Sequence, residues 1–121
     1  MKNTSIHLFA LSLLALLSCQ QPTNKKLDSL DILRGELLLC GTEQFGDVSF
    51  SLDCHYDSRE TFDLALSLLH SFEYKEAEKA FVKVADMDPE CAMAYWGIAM
   101  SSYHSLWGPP SIEVLEKGSK L

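Results

Sequence analysis

The sequence predicts an all-α domain of stacked antiparallel helical hairpins, preceded by an extended, irregular N-terminal segment. Three observations carry that expectation. From about residue 58 onward, apolar residues recur at one-turn spacing in three successive stretches. Helix start and stop residues separate those stretches. The first and third stretches also superpose when the sequence is shifted by 34 positions. At 121 residues the chain has room for one small domain at most.

The first residues stand outside that domain. Lys2 supplies a positive start, and Ile6 to Leu17 follow as an almost wholly apolar run, the layout of a secretory signal and too short for a permanent membrane span. The run closes on Leu16, Leu17, Ser18 and Cys19, which resembles the lipobox of bacterial lipoproteins. The resemblance implies a signal peptide at 1–18, cleavage after Ser18 and acylation of Cys19. Several acyl chains would hold the protein stably on a membrane, where one gives only marginal binding. It also implies an exported protein in the bacterial envelope, expected at the periplasmic side of the outer membrane, since no acidic cluster follows Cys19.

Loss of residues 1–18 removes one lysine and leaves 9 basic against 17 acidic residues, a balance of −8. Nucleic acid and anionic lipid both select positive charge, so neither is an expected partner. Residues 19–39 read as the tether and a possible short helix. Gln20 to Lys26 is polar, contains Pro22 and reads as flexible. Leu27 to Leu39 has weak helical spacing interrupted by Gly35, and suits either a short helix or a docking strap. Residues 40–57 read as extended: Gly41 and Gly46 punctuate them, and Val48, Ser49, Phe50, Ser51 and Leu52 alternate as a segment with one buried face does.

Residues 58–121 are expected to form one and a half to two helical hairpins. Asp57 and Glu60 make a capping box for a first helix at about 58–71, in which Phe62, Ala65, Leu66 and Leu69 share a face. A second helix, at about 73–86, turns Ala77, Phe81 and Val84 inward and Lys75, Glu76, Lys79 and Lys83 outward. Asp88, Pro89 and Glu90 read as the start of a third, with Asp as cap and Pro where no amide is required, running to about His104. Trp107, Gly108, Pro109 and Pro110 break the pattern, and Ser111 caps a fourth helix.

The 34-residue shift lays Phe62 on Trp96, Ala65 on Ala99, Leu66 on Met100, Leu69 on Tyr103 and His70 on His104. The second helix adds Ala77, Phe81 and a terminal Pro89. This pattern resembles the tetratricopeptide repeat, with large, small and aromatic positions in helix A and Ala, Phe and Pro in helix B. The run from Asp88 to Met100 (DPECAMAYWGIAM), with the CGTEQFGDVSFSLDC segment before it, is also similar to a group of exported bacterial tetratricopeptide proteins. That group carries Pro where this chain has Ser105, and its members are far longer. Because roughly three repeats are needed for a stable solenoid, the chain is expected to be the N-terminal piece of a longer protein or a truncated reading frame.

In such repeats neighbouring A helices run roughly parallel, which would bring Cys54 near Cys91. A bridge between them would add about 3–4 kcal/mol by loop entropy. Cys40 with Cys54, or free buried thiols, are the alternatives. His55 after Cys54 does not make a haem motif, because Ser51 stands where the first cysteine of C-x-x-C-H would be. His70 and His104 end equivalent helices and are expected to cap carbonyls rather than bind metal, zinc's paired ligand spacing being absent. Tyr95, Trp96, Met100 and Tyr103 are expected in the core, and Lys75, Lys79 and Lys83 on a solvated face relieved by Glu76 and Glu78.

Residues 19–121 show no nucleophile with its base, no carboxylate pair and no phosphate-cradling glycine loop. No cofactor and no catalytic residue are therefore expected. The function this implies is a membrane-tethered scaffold whose concave A-helix surface holds a protein or peptide segment. The alternative is the helical cover of a larger periplasmic enzyme with its chemistry elsewhere.

Overall fold

The computed structural model describes residues 23–39, 45–46, 48–104 and 106–121. The signal segment, Cys19 and Cys40 lie outside the described residues. Four α-helices follow a short 3₁₀ turn at Tyr56–Ser58: α1 (Arg59–His70), α2 (Tyr74–Met87), α3 (Ala92–Ser102) and α4 (Ile112–Ser119). No strand occurs among the described residues, and the fold is all-α as expected.

The capping box expected from Asp57 and Glu60 does not form. Asp57 is spent in the 3₁₀ turn, and α1 starts behind Ser58, whose side chain makes no cap bond but donates to the His55 carbonyl (2.7 Å). From there α1 buries Phe62, Ala65, Leu66 and Leu68.

α2 is the centre of the fold and packs against both α1 and α3. It can do so because its apolar residues are mostly small: Ala77, Ala80, Val82, Val84 and Ala85 are buried beside one large ring, Phe81. Helices approach closely only where side chains are short. Phe81 fills the middle, edge-on to Phe62 at 5.4 Å. The expected outward face of α2 is corrected at Glu76, which is buried along with Glu78.

Asp88, Pro89 and Glu90 end α2 rather than begin α3. Asp88 is the C-cap of α2, and Cys91, whose amide donates to the Asp88 carbonyl (3.1 Å), is the N-cap of α3. The Asp88 carboxylate is already engaged by the amides of His55 (2.6 Å) and Glu90 (3.2 Å), so it cannot cap the helix that follows.

α3 corrects the expected core. Its sequence is apolar nearly all round, so hydrophobic pattern alone does not choose its inner face. Close approach to α2 does: a Cβ added to Gly97 would lie 2.3–2.4 Å from three atoms of the Phe81 ring, inside any possible contact. The inner face is therefore Ala94, Gly97, Ile98 and Ser101. Trp96 and Tyr103 are turned outward, Trp96 40% exposed with its ring perpendicular to that of Phe81 at 6.5 Å, and Tyr95 and Met100 are half-buried.

The two connections between paired helices differ. α1 and α2 are joined by Ser71–Glu73, whereas nine residues, Tyr103–Ser111, separate α3 from α4. Ser111 caps α4 as expected, its hydroxyl accepting from the Val114 amide at 3.4 Å.

Gly97→Ala should lower the unfolding free energy by about 1–3 kcal/mol or more, because the added methyl must displace the Phe81 ring or part the two helices. Chemical denaturation of wild type and variant measures it; an unchanged midpoint would mean that α3 does not rest on Phe81.

Candidate interaction surface

Among the described residues, one surface of this core is closed and another is open. The first is closed by the N-terminal segment, which acts as a strap along α2. Leu27 is fully buried, and Leu30, Ile32, Leu37 and Leu39 pack against the same core. Gly35, at φ +122°, takes a conformation that L side chains rarely adopt, which breaks any continuous helix over 27–39. Of the two expected forms, the segment takes the strap.

Buried carboxylates hold the strap by its backbone. Glu78 accepts from the Leu33 amide (3.2 Å) and from Lys117 of α4 (2.6 Å). Glu76 accepts from the Leu38 amide (2.8 Å) and Lys79 (2.9 Å), and Lys79 also donates to the Glu36 carbonyl (3.3 Å). Arg34 pairs with Asp86. The tether expected over Gln20–Lys26 is corrected at its end: Asn24 is buried, donating to the Ala85 carbonyl (3.0 Å) and the Tyr95 hydroxyl (2.7 Å) and, through its amide, to Asp86 (2.6 Å). Nor is the lysine row simply a solvated face, since Lys79 is engaged on both sides by the strap and Glu76. A cleft of about 580 Å³ remains between strap and α2 beside Arg34, Lys79 and Asp86, but these charges are already paired with one another or with Glu76.

The second surface is aromatic and lies where α1 ends. Ser71 is the C-cap of α1. The Phe72 amide donates to the Leu69 carbonyl (3.3 Å) and the Glu73 amide to the Leu68 carbonyl (3.0 Å), the paired bonds of a Schellman motif. The residue after the cap must then be left-handed, a place that favours glycine. Phe72 occupies it at φ +65°, the only positive-φ residue other than glycine among the described residues. That conformation costs about 1 kcal/mol relative to glycine.

The Phe72 ring is 54% exposed. It meets Tyr74 at 6.2 Å and Trp107 at 6.3 Å, both edge-on, and Trp107 is 73% exposed. Tyr74 stacks on His104 at 4.1 Å. The His104 Nε2 lies 2.8 Å from the Ser101 carbonyl at the end of α3, the expected capping role, and His70 is exposed at the end of α1. Beside Trp107, a groove of about 280 Å³ is lined by His104, Pro109, Pro110 and Val114. Leu106 and Tyr103 extend the exposed apolar area.

The residues expected to pack the repeat divide accordingly. Phe62, Ala65, Ala77 and Phe81 are fully buried; Leu69 and Ala99 are half-buried; Pro89, Trp96 and Tyr103 are exposed. Phe50, expected on a buried face, is 44% exposed, although its ring lies over Phe62 at 6.2 Å. Cys54 and Cys91 are joined by a disulfide, Cα–Cα 4.9 Å, which ties the approach to α1 to the start of α3. Phe72 was not among the expected site residues. The sequence carries no specific signal for it, since α2 and α3 also end without glycine and without a left-handed residue.

These features define a small helical-hairpin domain with one strapped side and one open aromatic end. The chain matches no family model, no curated protein and no solved structure.

The strap responds to acid through Glu76. Burial raises its pKa and is the largest single effect. The Lys79 hydrogen bond, the Leu38 amide and the charges of Lys79 and Lys75 together outweigh it and hold the group below its ordinary 4.5. A carboxyl lowered on folding contributes stability above its unfolded pKa, and that contribution is lost as the pH falls through the folded value. Glu76→Gln should therefore cost on the order of 1–2 kcal/mol at neutral pH, with the deficit shrinking below about pH 4.5. Denaturation of both proteins across that range measures it, with hydrogen exchange at the Leu38 amide as the local reporter. A deficit independent of pH would mean that the Glu76 charge does not hold the strap.

Proposed function

We propose that this chain is a membrane-tethered binding module of the tetratricopeptide type in the bacterial envelope, engaging a protein or peptide partner through the aromatic end at Phe72 and Trp107. The observation that carries the reading is Phe72. Strained backbone that keeps a large ring in solvent points to a role for that ring outside the fold. Exposed Trp, Tyr and Phe beside a proline-lined groove are the residue types that anchor protein interfaces.

The tetratricopeptide type rests on the small and aromatic packing of Phe62, Ala65, Ala77 and Phe81 in α1 and α2 and on the 34-residue recurrence of the sequence, whose packing is not repeated at Trp96, the exposed counterpart of buried Phe62. The first hairpin fits it well. The second carries a longer connection, and this connection contributes Trp107 to the aromatic end. The proposed partner surface therefore takes in the helix-connecting turns as well as α3, rather than a concave A-helix groove alone. The tether rests on Cys19 at the end of the apolar leader.

Phe72→Gly separates binding from folding. The relief of the left-handed strain, about 1 kcal/mol, partly offsets the loss of two aromatic contacts worth about 0.5–1.5 kcal/mol each, so stability should fall by about 0–2 kcal/mol, leaving the variant folded. Peptides selected for binding to wild type should bind the variant about tenfold or more weakly, the loss expected of an aromatic hot spot. Selected peptides that bind both equally, followed by Trp fluorescence, would remove the assignment of this surface. The tether has its own check: Cys19→Ser should abolish acylation, seen as loss of the lipid mass and release from the membrane fraction, and an unaltered mass would remove the anchor.

A further inference from the structure

Three elements meet at the disulfide. Cys54 approaches α1, Asp88 closes α2 and Cys91 opens α3. The two sulfurs and one carboxylate oxygen all lie within 4.8 Å of one another. Cys91 is fully buried, and Cys54 and Asp88 are half-buried. The carboxylate is oriented by the His55 amide at 2.6 Å and the Glu90 amide at 3.2 Å, the kind of outer contact that positions a metal-ligating carboxylate. No cationic side chain is among its hydrogen-bond or ion-pair partners in the described residues. Cys91 stands at the N-cap of α3, where the positive end of the helix favours a thiolate.

We propose that the reduced protein holds a thiophilic divalent cation of the zinc type at Cys54, Cys91 and Asp88. The disulfide and the metal are then alternative clamps at one junction. A dithiol reductant transfers two electrons and two protons to the Cys54–Cys91 bond, leaving two thiols and its own cyclic disulfide. The cation then displaces two thiol protons, which leave to solvent, and forms two sulfur bonds and one oxygen bond. Three protein ligands leave one tetrahedral position for water. Paired zinc spacing is absent from the sequence because the ligands come from the ends of three different elements.

The alternative is a reduced junction with two free thiols, and cobalt separates the two. The full chain carrying Cys19→Ser and Cys40→Ser, so that Cys54 and Cys91 are its only thiols, is reduced with a phosphine, desalted without oxygen and titrated with Co²⁺ alone. The expected result is a thiolate-to-cobalt charge-transfer band with the visible bands of a tetrahedral ion, saturating at one equivalent. The oxidised protein should give neither. Asp88→Asn should shift the visible bands and weaken binding about tenfold or more, and Cys54→Ser should lower the charge-transfer intensity to about half. If reduction lowers helicity, Co²⁺ should restore it. Absence of the charge-transfer band in the reduced chain, the same titration for the oxidised chain, an unaltered Asp88→Asn spectrum and affinity, or helicity lost on reduction and not regained with Co²⁺ would each overturn the proposal.

Discussion

The contact between the Gly97 backbone and the Phe81 ring is the constraint on which the rest of the structure depends. It fixes the separation of α2 and α3 and thereby the rotation of α3 about its axis. With Ala94, Gly97 and Ser101 turned inward beside Ile98, the bulky Trp96 and Tyr103 are turned outward. Trp96 and Tyr103 at the surface are thus consequences of a missing Cβ and not of any polarity of their own. The same ring meets Phe62 from the other side, so one phenylalanine sets the geometry of three helices.

The two covers of this core work by different physics. Around Leu27 the strap adds apolar burial, but its alignment along α2 comes from two glutamates that receive backbone amides. Such carboxylates are stable out of water only because Lys79 and Lys117 complete their charge and hydrogen-bonding requirements. The disulfide side needs no such compensation, because the bridge is neutral and joins the chain before α1 directly to the start of α3. Polar restraint thus holds the N-terminal segment and covalent restraint holds the junction, while the aromatic end has neither and faces solvent.

Much of this was legible in the sequence, and what was not has definite causes. All-α class, the lengths of α1 and α2, the Ser111 cap and the buried set Phe62, Ala65, Ala77 and Phe81 follow from periodicity and cap chemistry. The orientation of α3 was not legible, because Ala92 to Met100 is apolar on every side and carries no amphipathic signal. Glu76 and Glu78 read as solvent-facing because a charge pattern says nothing of a distant segment arriving to bond them. Asp88 misled as a helix start because its carboxylate is claimed by His55, 33 positions earlier in the chain. The glutamates and Asp88 are cases of a long-range contact overriding a correct local preference. The aromatic end escaped for the opposite reason: Phe72 violates a local preference that glycine would satisfy.

The strap has an implication for the order in which the molecule assembles. It is made before α1 to α4, yet its partners are Glu76, Glu78, Ala85, Asp86 and Tyr95, and Lys26 reaches the Leu121 carbonyl 95 positions away. During synthesis these residues leave the ribosome with nothing to bind, and they can settle only once the helices stand behind them. A segment made ahead of the four helices is thereby the last to find its place, and loop closure over such distances is among the slower steps available to a small helical domain.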